Sequence, residues 1–228
     1  GVRWRDVSGF GEVKPMYLIR ADECSITHPA RTVLRALSNA TNERTTVACL
    51  LGDEPCGNSL GVLTPPVSTQ QPIGDCAWLT GVLGSMVWDW GLRQRLAGTN
   101  LNGFVLADTV LPPSTAAQRS LIAGLALRLC AVLPWHESLW HGARAEGWID
   151  AGTGPALDPQ ERQRLRARLE VAVASSFGLR LEDLAWILRD CHHATARLRD
   201  SAFTRRLDSR GFWRMDRDRD PEQSLAQI

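Results

Sequence analysis

The sequence predicts an α+β protein: a mixed, twisted sheet early in the chain, two long helices, and a helical C-terminal segment. Three observations carry this. Short β-branched or apolar runs divided by Gly, Pro and Asn breaks fill residues 16–64. From Asp75 onward, apolar residues recur at helical spacing. Beyond residue 150, amphipathic stretches of helix length are punctuated by glycine and proline. With 228 residues, 44% of them hydrophobic, the chain can bury a full core. The expected division is one domain over 1–150 and a helical segment with a charged tail over 151–228.

The expected strands are Met16–Arg20, Arg31–Leu37, Thr45–Leu51 and Leu60–Thr64, each bounded by a turn-forming cluster such as Asn39-Ala40-Thr41-Asn42 or Gly52-Asp53-Glu54-Pro55. Leu79, Val82, Leu83, Met86, Val87 and Trp90 define one face of a single helix from Asp75, its expected N-cap, to Leu96. Gly103–Leu111 reads as a further strand stopped by Pro112-Pro113, and a second helix runs from about Ser114 to Pro134. Residues 142–160 read as a connection. Helices then follow over Pro159–Ser176, with Gly178 behind the last turn, and over Leu181–Asp190. The Phe212-Trp213 pair should pack inward, ahead of a solvated run of alternating Arg and Asp over 214–220.

Composition narrows the function classes. Net charge is +1, so no global field announces a polyanion partner. Lys14 is the sole lysine among 26 basic residues, so arginine carries the positive charge, and arginine suits bidentate contacts to phosphates and guanine. Six cysteines, none in a C-x-x-C pair, read as reduced thiols. Cys191-His192-His193 has no second ligand pair at zinc spacing, so no metal site is expected. No run reaches the ~18 apolar residues of a membrane span. The start, Gly1-Val2-Arg3-Trp4, lacks a signal-peptide layout, so a cytoplasmic location without a membrane partner is expected. The chain opens on glycine and is expected to be a segment of a longer protein.

Several passages share one resemblance. Residues 78–102, "WLTGVLGSMVWDWGLRQRLAGTNLN", lead into "GFVLADTVLPP" and "STAAQRSLIAGLALRL". Residues 35–63, "RALSNATNERTTVACLLGDEPCGNSLGVL", and 169–191, "LEVAVASSFGLRLEDLAWILRDC", stand before and after them. Together, and in this order, these passages resemble the target-recognition region of single-chain adenine-specific DNA methyltransferases of bacterial restriction and phage-defence systems. They are also similar to type I restriction specificity subunits. The resemblance implies sequence-specific binding of double-stranded DNA beside a methyltransferase domain N-terminal to Gly1. That domain would hold S-adenosylmethionine. No cofactor and no catalytic residue are expected in this segment, because neither Pro-Pro pair (Thr64-Pro65-Pro66-Val67 and Leu111-Pro112-Pro113-Ser114) carries the amide and aromatic residues that hold a flipped adenine.

The DNA-contact candidates are Arg31, Arg35, Asn39, Asn42, Arg44 and Asn58 in the first region and Arg93, Arg95, Thr99, Asn100 and Asn102 in the second. Arginine pairs with guanine, asparagine with adenine, and threonine anchors phosphate. Turn chemistry competes for Asn39 and Asn42, and a helix C-terminus competes for Arg93 and Arg95. Trp78, Trp88, Trp90 and Trp186 are expected in the core, while Trp135, Trp140 and Trp148 are expected against a neighbouring domain. Two other classes stay open. Glu12-Val13-Lys14 has the Glu-x-Lys form of a metal-dependent nuclease, although Asp6 stands too close to serve as its upstream acid. A protein-interaction module is the other.

Overall fold

The computed structural model describes residue 20 and residues 26–215. The expected strand Met16–Arg20, the Glu-x-Lys segment and the charged run beyond residue 215 lie outside them, apart from Arg20 and Arg214-Met215. Among the described residues the protein is α+β. A three-stranded sheet is built from β1 (Arg31–Arg35), β2 (Ala48–Leu51) and β3 (Leu60–Leu63) in the order β2-β1-β3. Among the described residues both pairings are antiparallel: Val33 stands opposite Cys49 on one side and Val62 on the other.

The sheet is covered on one face by α1 (Pro72–Leu83). Thr32 on β1 fixes this layer: its hydroxyl donates to the Cys76 carbonyl at 2.9 Å and lies 3.0 Å from the Thr80 hydroxyl, both on α1. α1 begins at Pro72, three residues ahead of the expected cap, because proline is pre-set for the first helical position. Asp75 lies inside the first turn, where it accepts from Thr69 and Arg119. The expected single helix 75–96 is broken. Gly84 ends α1 and Ser85 caps α2 (Met86–Arg95), its side chain accepting from the Trp88 amide at 3.2 Å.

The expected strand Gly103–Leu111 is absent. In its place Gly103–Ala107 forms a short helix, α3, started by Asn102. The extended pairing falls three residues earlier instead. The Ser38 amide donates to the Thr99 carbonyl, and the Leu101 amide donates to the Ala36 carbonyl, each at 2.8 Å. An isolated antiparallel bridge joins Leu37 to Asn100 between them.

α4 (Ala116–Cys130) starts from a capping box between Thr115 and Gln118. It packs on α1 through Gly81, where a Cβ would stand 2.7 Å from Ile122. α5 (Glu137–Ala145) occupies the start of the stretch read as a connection. α6 (Pro159–Ser176) has the predicted bounds and lies on α4; Arg162 donates to the Leu129 carbonyl at 3.0 Å. Gly178 takes φ +70° after its last turn, as a glycine there should. α7 (Leu181–Ile187) stops short of Asp190, and two brief helices, α8 (Thr195–Leu198) and α9 (Ser201–Thr204), follow. Phe212 and Trp213 are buried, as their sequence suggests. One buried cluster runs from Ala30 to Met215 and crosses residue 150. No helix among the described residues is long and apolar enough to cross a membrane.

The tryptophans divide differently from expectation. Trp78 and Trp88 are buried and Trp90 is partly so, but Trp186 is 61% exposed and is no core residue. Trp140 is buried within this chain, and Trp148 packs against the backbone of Gly74.

That last contact is testable. A Cβ at Gly74 would fall 1.8 Å from the Trp148 ring, whereas nothing lies within 4 Å of one at Gly91. Gly74→Ala should cost roughly 1–3 kcal/mol through overpacking. Gly91→Ala, in the interior of α2, should be neutral or raise the melting temperature. Thermal denaturation of both variants checks the pair.

Candidate nucleic-acid interface

The candidate residues other than Arg31, which starts β1 at its opposite end, approach one another at the far end of β1. Here the Arg35 amide donates to the Val47 carbonyl and the Ala36 amide donates to the Ser59 carbonyl at 2.9 Å. Residues 99–101 pair alongside, as described. Three loops distant in sequence, 36–46, 57–59 and 99–102, are therefore adjacent. Asn58, Thr99, Asn100 and Asn102 are exposed there, and Asn39 and Asn42 are half-buried. Asn102 occupies the N-cap of α3 yet makes no side-chain cap bond. Asn39 serves the turn: its side-chain oxygen accepts from the Thr41 amide at 2.9 Å and the Thr41 hydroxyl at 3.0 Å. Leu37 and Phe104, 61% and 68% exposed, add apolar surface on the same segments.

The arginines behave otherwise. Arg31 is buried and donates to the Gly52 and Glu54 carbonyls, holding the turn after β2. Arg44 and Arg93 converge on Asp89, whose side chain is fully buried. Each places its Nε 2.9 Å from a different Asp89 oxygen. The same carboxylate accepts from the Thr45 amide at 3.1 Å and the Thr46 amide at 3.3 Å. Arg93 further donates to the carbonyls of Glu43, Arg210 and Gly211, and its guanidinium lies 4.0 Å from the Phe212 ring centre. Burial pushes the Arg93 pKa below its ordinary value, and the Asp89 charge opposes that shift. Arg31, Arg44 and Arg93 are thus turned inward; Arg44 and Arg93 hold loop 36–46, whereas Arg31 holds the 52–54 turn at the opposite end of β1.

Arg35 lies between these cases, donating to the Arg44 carbonyl at 3.2 Å. Arg95 is exposed on the last turn of α2, and among the described residues no carboxylate lies within salt-bridge reach of it.

A second anchor lies behind the first. The helix break leaves the Gly84 carbonyl free of its helical partner, and it accepts from Arg44 at 2.6 Å and from Arg166 at 2.7 Å. Glu170 on α6 accepts from the Met86 amide at 2.7 Å, placing a carboxylate at the α2 N-terminus, and pairs with Arg166 at 2.9 Å. The sequence signal for the break was the Gly84-Ser85 pair inside a helical pattern. The sequence reading also missed a thiol pair. The neighbouring Cys49 thiol pushes the Cys130 pKa below its ordinary value, with burial opposing and the Arg162 and Arg166 charges adding.

Compared with protein-family models, curated proteins and solved structures, the chain matches none.

Removing Asp89 should leave two guanidiniums packed around an empty site. Asp89→Ala should therefore cost about 3–5 kcal/mol, the scale for breaking a buried pair. Arg95→Ala should stay within about 0.5 kcal/mol. Urea denaturation midpoints of the two variants measure the contrast.

Proposed function

We propose that this chain is the target-recognition part of an adenine-specific DNA methyltransferase and reads duplex DNA with the loops at the far end of β1. The observation that carries the reading is the convergence of residues 36–46, 57–59 and 99–102. They present Asn42, Asn58, Thr99, Asn100 and Asn102, the first loop anchored on Asp89 and the other two paired to it by backbone hydrogen bonds.

Base reading needs side chains with paired donors and acceptors, held still by a rigid scaffold. Asparagine offers both to adenine, and an exposed Leu37 or Phe104 suits a thymine methyl group. Loops carried on a packed core supply the stillness. The family resemblance passes through all three of these loops, which adds support from outside the geometry. In this reading the methyl donor, S-adenosylmethionine, and the reacting adenine belong to a methyltransferase domain of the parent protein. The present chain contributes the choice of site.

Duplex binding should therefore be weak and electrostatic in part. Affinity should fall by roughly tenfold or more between about 50 mM and about 200 mM salt. Anisotropy titrations with labelled duplex measure this, and no binding at the lower salt would sink the reading. Selection from a pool of random duplexes tests the residues. Asn100→Ala should relax preference at one base pair, with a loss of about 1–3 kcal/mol there. An even loss across all sequences would make Asn100 a phosphate contact instead.

The chain by itself should transfer no methyl group to DNA, since it lacks the adenine-holding motif. Incubation with labelled S-adenosylmethionine and plasmid gives the readout, and incorporation of label would contradict the assignment.

A further inference from the structure

A cavity of about 330 Å³ lies between α2, the residues that follow α3, and α7. Its walls include Trp90, Phe177, Trp186 and Ile187, and its polar groups include Arg95 and Asp183. This size stands at the lower end of the roughly 300–1,000 Å³ of small-molecule sites, enough for one ring system and a substituent.

The polar groups define the occupant. Asp183 accepts from the Arg180 amide at 2.9 Å and stands 3.7 Å from the Arg180 guanidinium, which offsets part of its charge. Arg95 has only the Gly91 carbonyl, at 3.3 Å along its own helix, and no carboxylate within salt-bridge reach among the described residues. Arg95 is the cation among the lining residues, and an anionic group on the occupant would pair with it. A flat aromatic ring carrying an anionic group satisfies both the walls and Arg95. Trp186 is suited to a stacking partner. Arg189, which does not line the cavity, already sits 4.3 Å from its ring centre, and 61% of the residue is still open to solvent. A cation against an aromatic ring combined with an exposed stacking surface is how single-stranded nucleic acid is held.

We propose that this cavity binds one nucleotide unit, with the base against Trp90 and Trp186 and the phosphate on Arg95. Resting on the duplex-binding reading, the unit is an unstacked nucleotide of the bound DNA. Arg95, which lines the cavity, ends α2, and Leu96, Ala97 and Gly98 connect it to Thr99–Asn102 of the candidate interface.

Two measurements on the full chain test this. In the first, adenosine 5′-monophosphate is titrated while the indole N–H signals of Trp90 and Trp186 are followed by NMR. Both signals should shift, adenosine should bind more weakly than its monophosphate, and Arg95→Gln should remove that difference. Unmoved signals, as expected if the cavity takes an apolar side chain of a protein partner, overturn the proposal. In the second, a fully paired duplex is compared with the same duplex carrying one bulged nucleotide. The bulged form should bind roughly tenfold tighter, the scale of one base stacked on an aromatic ring. Trp186→Ala should abolish that preference while leaving the paired duplex within about twofold. Equal affinities for both duplexes overturn the DNA source of the nucleotide. Loss of binding to every duplex, with the monophosphate still shifting both indoles, sinks the duplex reading and leaves a free nucleotide as the ligand.

Discussion

Asp89 is the point on which the arrangement depends. Its buried carboxylate collects two guanidiniums and two backbone amides, and those arginines carry the restraint outward. Arg44 reaches the helix break at Gly84, and Arg93 reaches both Glu43 in the first loop and Arg210-Gly211 near the end of the described chain. One residue thereby ties α2 to loop 36–46 and to the segment holding Phe212. Burying such charges costs several kcal/mol per ion before pairing offsets it, so the cluster is a poor source of stability. What it supplies is position, because a fully bonded carboxylate between two planar forks admits few geometries.

That division of labour explains how a nearly neutral, arginine-rich chain can suit a nucleic-acid partner. The arginines nearest the loops point inward and neutralise carboxylates or bind carbonyls, so they add little to the outer field. The surface left at the far end of β1 is made of amides, a threonine and exposed apolar groups. In the proposed role such a surface favours reading bases over gripping phosphates, and the missing grip falls to Arg95, to Arg35 and to the rest of the parent protein.

The elements that followed from the sequence are those whose side-chain period had no competitor. β1 to β3 and α6 sit within a few residues of their expected bounds, because alternation or helical spacing continued between clear stops. Where local chemistry cut across the period, the reading slipped. The apolar face over 79–90 is continuous, yet Gly84-Ser85 breaks the helix, and the freed Gly84 carbonyl is used by Arg44 and Arg166. Residues 103–111 look strand-like, but the open pairing at the end of β1 is taken by Thr99–Leu101, and Asn102 then starts a helix. Which way an arginine faces is a tertiary matter. Only the four-residue spacing of Asp89 and Arg93 hinted that Arg93 belongs inside. Trp186 read as core because its helix is apolar, and nothing in the sequence marks the cavity that leaves it exposed.

Hydrogen–deuterium exchange of the whole chain, with and without duplex DNA, tests the central claim most directly. If the far end of β1 is the DNA-reading surface, added DNA should slow exchange of amides within residues 36–46, 57–59 and 99–104 while the sheet and α4 stay unchanged. Protection confined to the outer side of α6, or none at a DNA concentration that saturates binding, would contradict the account.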